Sequence, residues 1–237
     1  MKLLGLIGGV SPQSTQLYYR LLNDAARARF GGAHSARLIV WSFDFALIDE
    51  AYAAADWDRY RALVVEAACA LKAAGAEALM ICSNTTHLAA DAAREATGLP
   101  LVHLIDALAA ALKEKGVRKP LLLGTPFVMS GPFYRPELAR RFGADAIVPD
   151  AEDQEEARRI IFEELVRNEI KDSSRARLRA MIEKARRAGA DGVILGCTEF
   201  ALILSQDDTD LPVFDTTRIH AAAAADFAFG AGGGADR

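Results

Sequence analysis

Cysteine is scarce in this 237-residue chain, with only Cys69, Cys82 and Cys197 present. An odd set without zinc-type spacing argues against a disulfide framework or a structural metal site and leaves at least one thiol unpaired. Long apolar runs are also lacking. The alanine-rich stretches are broken by Asp, Glu, Lys or Arg well short of the roughly 20 residues a membrane-crossing helix needs. Nor is there an excess of positive charge: 28 Lys and Arg stand against 32 Asp and Glu. Such a balance creates no field that would draw nucleic acid or an anionic membrane surface. The opening Met1 to Gly9 has a short apolar run ending in a glycine turn, with no small-residue cleavage site, so it does not read as a signal peptide and the cytoplasm is the expected compartment. After the first apolar run there is neither Gly-x-Gly-x-x-Gly nor Gly-Lys-Ser/Thr, which argues against dinucleotide and P-loop binding.

What is present is 51% hydrophobic and 25% charged residues, a composition of a globular protein able to bury a substantial core. Short apolar runs alternate with alanine-rich, charged segments of helical period. That alternation predicts βαβ units around parallel sheets. Strands are expected at Leu3 to Ile7, Arg37 to Ser42, Ala78 to Ile81, Pro120 to Leu123, Asp145 to Val148, Gly192 to Leu195 and Pro212 to Phe214. Helices are expected at Ser14 to Arg29, Trp57 to Ala74, Asp106 to Lys115, Asp153 to Arg167 and Ser174 to Ala188. A weak internal repeat relates Leu6-Ile7-Gly8-Gly9 to Leu122-Leu123-Gly124-Thr125, and Gly75 to Ser83 to Gly189 to Cys197, at nearly equal separations. It predicts two similar α/β domains, 1–98 with 210–237 and 99–209, whose strand ends would line a cleft. The glycine-rich end, Gly230 to Arg237, is expected to be flexible.

Polar residues concentrate where the expected strands end. Ile81 to His87 reads Ile-Cys-Ser-Asn-Thr-Thr-His, and Leu195 to Phe200 reads Leu-Gly-Cys-Thr-Glu-Phe. Parallel sheets bind ligands at the carboxyl ends of their strands, where loops and helix N-termini supply N–H groups. The turn Gly8-Gly9-Val10-Ser11, with Thr15 beyond it, would suit a carboxylate resting on amides and hydroxyls. Residue type alone makes a cysteine at a buried strand end a small apolar filler; the Gly-Cys-Thr-Glu frame and its pairing with Ser-Asn-Thr reverse that reading for Cys197. Cys82 alternates away from Ser83 and should face the core. Cys69 is expected to be structural. For His87 a capping or supporting role and a role as base both stay open. His103 and His220 are expected to be packing or hydrogen-bonding residues, His34 a loop residue, and Asp215 a helix cap.

Gly-Leu-Ile-Gly-Gly, Gly32-Ala33-His34-Ser35-Ala36, Ser83-Asn84-Thr85-Thr86-His87, Leu123-Gly124-Thr125, Gly196-Cys197-Thr198-Glu199 and Phe214-Asp215-Thr216 together resemble the aspartate/glutamate racemase superfamily over nearly the whole chain. The resemblance implies two facing α/β domains and proton exchange at the α-carbon of an amino acid by two residues on opposite faces, without pyridoxal phosphate or metal. Here the first catalytic position holds a hydroxyl, Ser83, and the second a thiol, Cys197. By that resemblance Cys197 is the base toward an L-configured acidic amino acid and Ser83 serves the opposite face. Gly9, Val10, Ser11, Asn84, Thr85, Thr125, Thr198 and Glu199 would bind the substrate, and a homodimer is implied. Alternatives are a single-cysteine decarboxylase or cis-trans isomerase of a dicarboxylate, or a non-catalytic dicarboxylate-binding protein.

Overall fold

The computed structural model describes residues 1–143 and 146–230. In chain order the elements are β1 Leu4–Gly8, α1 Pro12–Phe30, β2 Leu38–Ser42, α2 Phe45–Ala53, α3 Trp57–Ala73, β3 Ala78–Ile81, α4 Ala90–Thr97, β4 Leu101–Val102, α5 Leu104–Glu114 and β5 Pro120–Leu123. They continue as α6 Pro126–Ser130, α7 Tyr134–Phe142, α8 Ala151–Arg159, α9 Asp172–Arg187, β6 Gly192–Leu195, β7 Val213–Asp215 and α10 Thr216–Phe229. The chain is α/β, as the alternation predicts, and divides into two compact units: Met1–Leu104 with His220–Arg237, and Ile105–Ile219.

The first unit carries a sheet in the order β2-β1-β3-β4, parallel throughout its described pairings. Every residue of β1 and β3 is buried. This is why both read as unbroken apolar runs: strands covered on two faces have no solvent side to encode. One face packs Ile7, Leu79 and Ile81 against Tyr60, Val64, Ala67 and Leu71 of α3. The other packs Leu4, Leu6, Met80 and Cys82 against Tyr18 and Leu22 of α1 and against Ala221, Ala224, Ala225 and Ala228 of α10. Alanines on that helical stripe let α10 sit close to the sheet. Cys82 thus lies in the core as strand alternation requires, while Cys69 is exposed on α3.

The second unit carries the sheet β5-β6-β7, again with parallel pairings. Its core joins Leu121, Leu123, Val193 and Leu195 to Ile160, Ile161 and Leu165 and to Leu178, Met181 and Ile182 of α9.

Several expectations are corrected. β4 pairs with β3, and β7 pairs with β6, so the breaks placed at 98/99 and 209/210 lie instead at 104/105 and 219/220. The strand expected at 145–148 is a single bridge between Ile147 and Leu121, and Asp145 lies outside the described residues. The helix expected from Asp153 to Arg167 ends at Arg159 and continues as a π-turn, Ile160–Glu164, and a 3₁₀ turn, Leu165–Arg167. The cause is Glu164, which is buried and drawn inward by Ser174 Oγ at 2.5 Å and Arg159 Nη1 at 2.6 Å. Helices α2, α4, α6 and α7 occupy segments beyond those named from the sequence. The expected flexible tail falls, beyond Gly230, outside the described residues. Among the described residues no helix is long and apolar enough to cross a membrane.

Candidate active site

In the first unit the polar strand ends form one locally connected set. Gly9 follows β1 at φ +81°, and a Cβ there would lie 2.2 Å from the backbone nitrogen of Phe43. Only glycine fits, for both conformation and space. Gly9 N–H donates to Thr15 Oγ1 at 2.9 Å, and that hydroxyl donates to the Ser11 carbonyl at 3.2 Å. Ser11 caps α1, with its Oγ accepting from Ser14 N–H at 3.3 Å, and holds a positive φ of 76° that is unusual outside glycine. Ser14 Oγ donates to the Cys82 carbonyl at 2.9 Å and so ties this turn to the end of β3. Gly9, Val10 and Ser11 follow β1, and Ser83, Asn84 and Thr85 follow β3, the strand with which β1 pairs. Neither Ser14 nor the pairing of Thr86 Oγ1 with Tyr60 OH at 2.9 Å was anticipated. A serine and threonine one turn inside a capped helix beside a glycine turn is the signal that could have marked Ser14. Gly9→Ala is expected to destabilise the first unit by about 1–3 kcal/mol, the cost of a strained backbone position, read as a lowered midpoint in urea denaturation.

Ser83 is half-buried where β3 gives way to the 3₁₀ turn Thr85–Ala89. Its Oγ accepts from Thr86 N–H at 3.3 Å, and its carbonyl accepts from His87 Nδ1 at 2.7 Å. Leu104 N–H donates to His87 Nε2 at 3.1 Å. With one ring nitrogen donating and the other accepting, the imidazole is the neutral Nδ1–H tautomer. That arrangement supports the supporting role for His87 over the role as base. His220 is likewise tied down: its Nε2 donates to the Val102 carbonyl at 2.8 Å, and Nδ1 accepts from Tyr18 OH at 3.0 Å. Burial lowers its pKa to about 4, with the neighbouring His103 adding in the same direction and the Val102 carbonyl opposing.

In the second unit Gly196 N–H donates to the Leu123 carbonyl at 2.7 Å, which sets the end of β6 beside the end of β5. Thr125 caps α6 through its Oγ, which accepts from Val128 N–H at 3.4 Å. Cys197 is 8% exposed. Its thiol donates to Glu199 Oε2 at 2.9 Å, and Thr198 Oγ1 donates to the same oxygen at 2.7 Å. Burial pushes the Cys197 pKa well above the usual thiol range, and the Glu199 charge adds to that shift. Both influences favour the protonated thiol, which stands in hydrogen-bond contact with the Glu199 side chain. Asp215 caps α10, accepting from Thr217 N–H at 2.9 Å and Arg218 N–H at 3.2 Å, the structural role expected of it. A hollow of about 620 Å³ lined by Ala109, Lys113, Arg118, Arg141 and Phe142 lies at the amino end of β5, away from the strand ends that carry Cys197.

The sequence-predicted residues thus form two sets. Gly9, Val10, Ser11, Ser83, Asn84 and Thr85 belong to the first unit, and Thr125, Cys197, Thr198 and Glu199 to the second. No group of three or more His, Cys, Asp or Glu side chains among the described residues could hold a metal ion.

Residues 7–224 match the sequence model of the family described as Asp/Glu/Hydantoin racemase. Among solved structures, a putative Asp/Glu racemase from Yersinia pestis is 46% identical over 97% of this chain and 100% of its own, with a TM-score of 0.93. An aspartate racemase homologue from Pyrococcus horikoshii is 37% identical over 97% of this chain and 100% of its own, with a TM-score of 0.87. The aspartate racemase of Picrophilus torridus, 23% identical over 97% of this chain and 95% of its own, shares the fold at a TM-score of 0.72.

Proposed function

The chain belongs to the Asp/Glu/Hydantoin racemase family and is by that membership an isomerase, and from this premise we propose that it racemises an acidic amino acid, with L-aspartate and L-glutamate preferred. The observation that carries the reading is the contact of 2.9 Å between Cys197 Sγ and Glu199 Oε2. A thiol held protonated by burial is a poor base until its proton has somewhere to go, and Glu199 supplies the acceptor. Once that proton has moved, the thiolate takes the α-proton of the L substrate, and the substrate keeps the electron pair as a carbanion. Ser83 then delivers a proton to the opposite face and recovers one from solvent. Asn84, Thr85, Thr125, Thr198 and the turn Gly9-Val10-Ser11 hold the α-carboxylate and disperse the developing charge. No pyridoxal phosphate or metal enters this scheme. A cytoplasmic homodimer is part of the same reading.

Proton NMR in deuterium oxide tests it, with L- and D-aspartate and L- and D-glutamate supplied separately to the purified protein. The expected result is loss of the α-proton signal from an L form and accumulation of its D enantiomer. No exchange on any of the four would sink the reading and leave a decarboxylase, a dicarboxylate isomerase or a binding protein. Glu199→Gln supplies a further prediction. Removing the carboxylate charge takes away one of the influences that raise the Cys197 pKa, so the acid limb of the exchange-rate profile should move to lower pH. An unchanged profile would show that Glu199 has no part in the transfer.

A further inference from the structure

Three imidazoles lie together behind Ser83. The His87 ring stands edge-on to His103 at a centroid distance of 4.8 Å and to His220 at 5.2 Å. His87 is 1% exposed, and both of its ring nitrogens engage backbone groups. One is the Ser83 carbonyl, accepting from Nδ1–H at 2.7 Å; the other is Leu104 N–H, donating to Nε2 at 3.1 Å. His220, anchored by Tyr18 and Val102, closes the packing from α10. The ring bridges two short backbone segments that share no strand pairing: the turn that presents Ser83, and the chain just after β4.

We infer that His87 is the positioning residue for Ser83: its Nδ1–H fixes the Ser83 backbone, and hence the direction of the Ser83 hydroxyl, while its Nε2 anchors that turn to Leu104. The inference rests on the racemase reading above and deepens it. The hydroxyl itself needs this support. Its described partner is the Thr86 N–H of the following turn, at 3.3 Å, so its direction depends on where the backbone at Ser83 is held. Support of this kind matters for a proton donor, since misplacement by about 1 Å can cost about 100-fold in rate.

The geometry assigns different duties to the two ring nitrogens, and two substitutions separate them. In His87→Asn the side-chain amide sits where Nδ1 was and can still donate to the Ser83 carbonyl. In His87→Gln the amide reaches the Nε2 position, and the bond to Ser83 is lost. Both variants keep a polar group in the buried site, so neither leaves it wholly unsatisfied. The readout is the ratio of two rates in deuterium oxide: deuterium entering an L substrate that keeps its configuration, which requires only Cys197, and formation of the D enantiomer, which also requires Ser83. His87→Gln should lower D formation by about 100-fold while exchange with retention changes far less, matching the ratio shown by Ser83→Ala. His87→Asn should stay near the unsubstituted ratio. If the two variants behave alike, or if both rates fall in proportion, His87 is a packing residue and the inference is overturned. If the unsubstituted protein exchanges no α-proton from any of the four substrates, the racemase reading has failed and the inference falls with it.

Discussion

Replacing Cys197 with serine is expected to reduce α-proton exchange from the L substrate by about 10³-fold, within the range a positioned general base contributes. The change removes one property and keeps most others. Serine is close to cysteine in size, so the packing around Phe200 and Leu195 in the second core should survive, and its hydroxyl can still donate to Glu199 Oε2. What is lost is acidity. A free thiol titrates near about 8.5, whereas an alkanol hydroxyl ionises far less readily, and Glu199 cannot draw its proton off to any useful extent. Burial and the Glu199 charge already raise the thiol above its ordinary range, so little margin remains. The expected pH dependence follows from the same shift. Exchange by the unsubstituted protein should rise with pH as the thiol ionises, and the limb should reach above neutral pH. The sign for stability is opposite. Because the folded thiol has the higher pKa, its protonated form contributes stability below the unfolded value, and that contribution is lost as pH rises through the folded one. Exchange by Cys197→Ser at the normal rate, with an unchanged unfolding midpoint, would place the base elsewhere.

A second large effect is expected on the acid side of neutrality. The ordinary imidazole value is about 6.5, and burial takes His220 down to about 4 in the folded chain. Between those values the unfolded chain binds a proton that the folded chain refuses, so stability falls as pH drops. The neutral imidazole's advantage is fully present above about 6.5 and is lost progressively toward pH 4. At one pKa unit per about 1.4 kcal/mol, the loss is on the order of 3 kcal/mol. Protonation at Nδ1 would also cost the hydrogen bond accepted from Tyr18 OH, which the folded structure keeps buried. Urea denaturation at a series of pH values isolates the effect when paired with His220→Gln, which has no proton to gain in this range. That variant should be less stable at pH 7 and show a flatter decline toward pH 4. Parallel declines would mean that carboxylates elsewhere carry the acid sensitivity.

How far the molecule could be read in advance depended on burial. β3, β5 and β6 are fully buried, and their runs of four apolar residues bracketed by turns and charges marked them to the residue. The edge elements were harder. β4 is two residues long, Leu101–Val102, following Pro100, too short to carry any period. The π-turn at Ile160–Glu164 was invisible because a helical period through Arg167 looks continuous until Glu164 is seen turned inward to Ser174 and Arg159. At the candidate site, Ser83, Cys197 and Glu199 stood out as polar residues at strand ends, while Ser14 and Thr86, which bond to groups around the end of β3, looked like ordinary helix and turn residues.

Sequence by itself therefore determined the chemistry available: a single thiol in a Gly-Cys-Thr-Glu frame, a serine before Asn-Thr, a glycine turn with a capping serine, and the alternation that makes an α/β fold. These are properties of residue type and of neighbours within a few positions, and local order is what a sequence states directly. Tertiary structure alone decided that Val213–Asp215 joins the second sheet, that His220 is buried among Tyr18, His87 and Val102, and that His87 takes one tautomer between Ser83 and Leu104. The physical reason is the same in each case. Strand membership, an imidazole's proton and its pKa are set by the groups that packing brings against them from distant parts of the chain, and no local pattern names those partners.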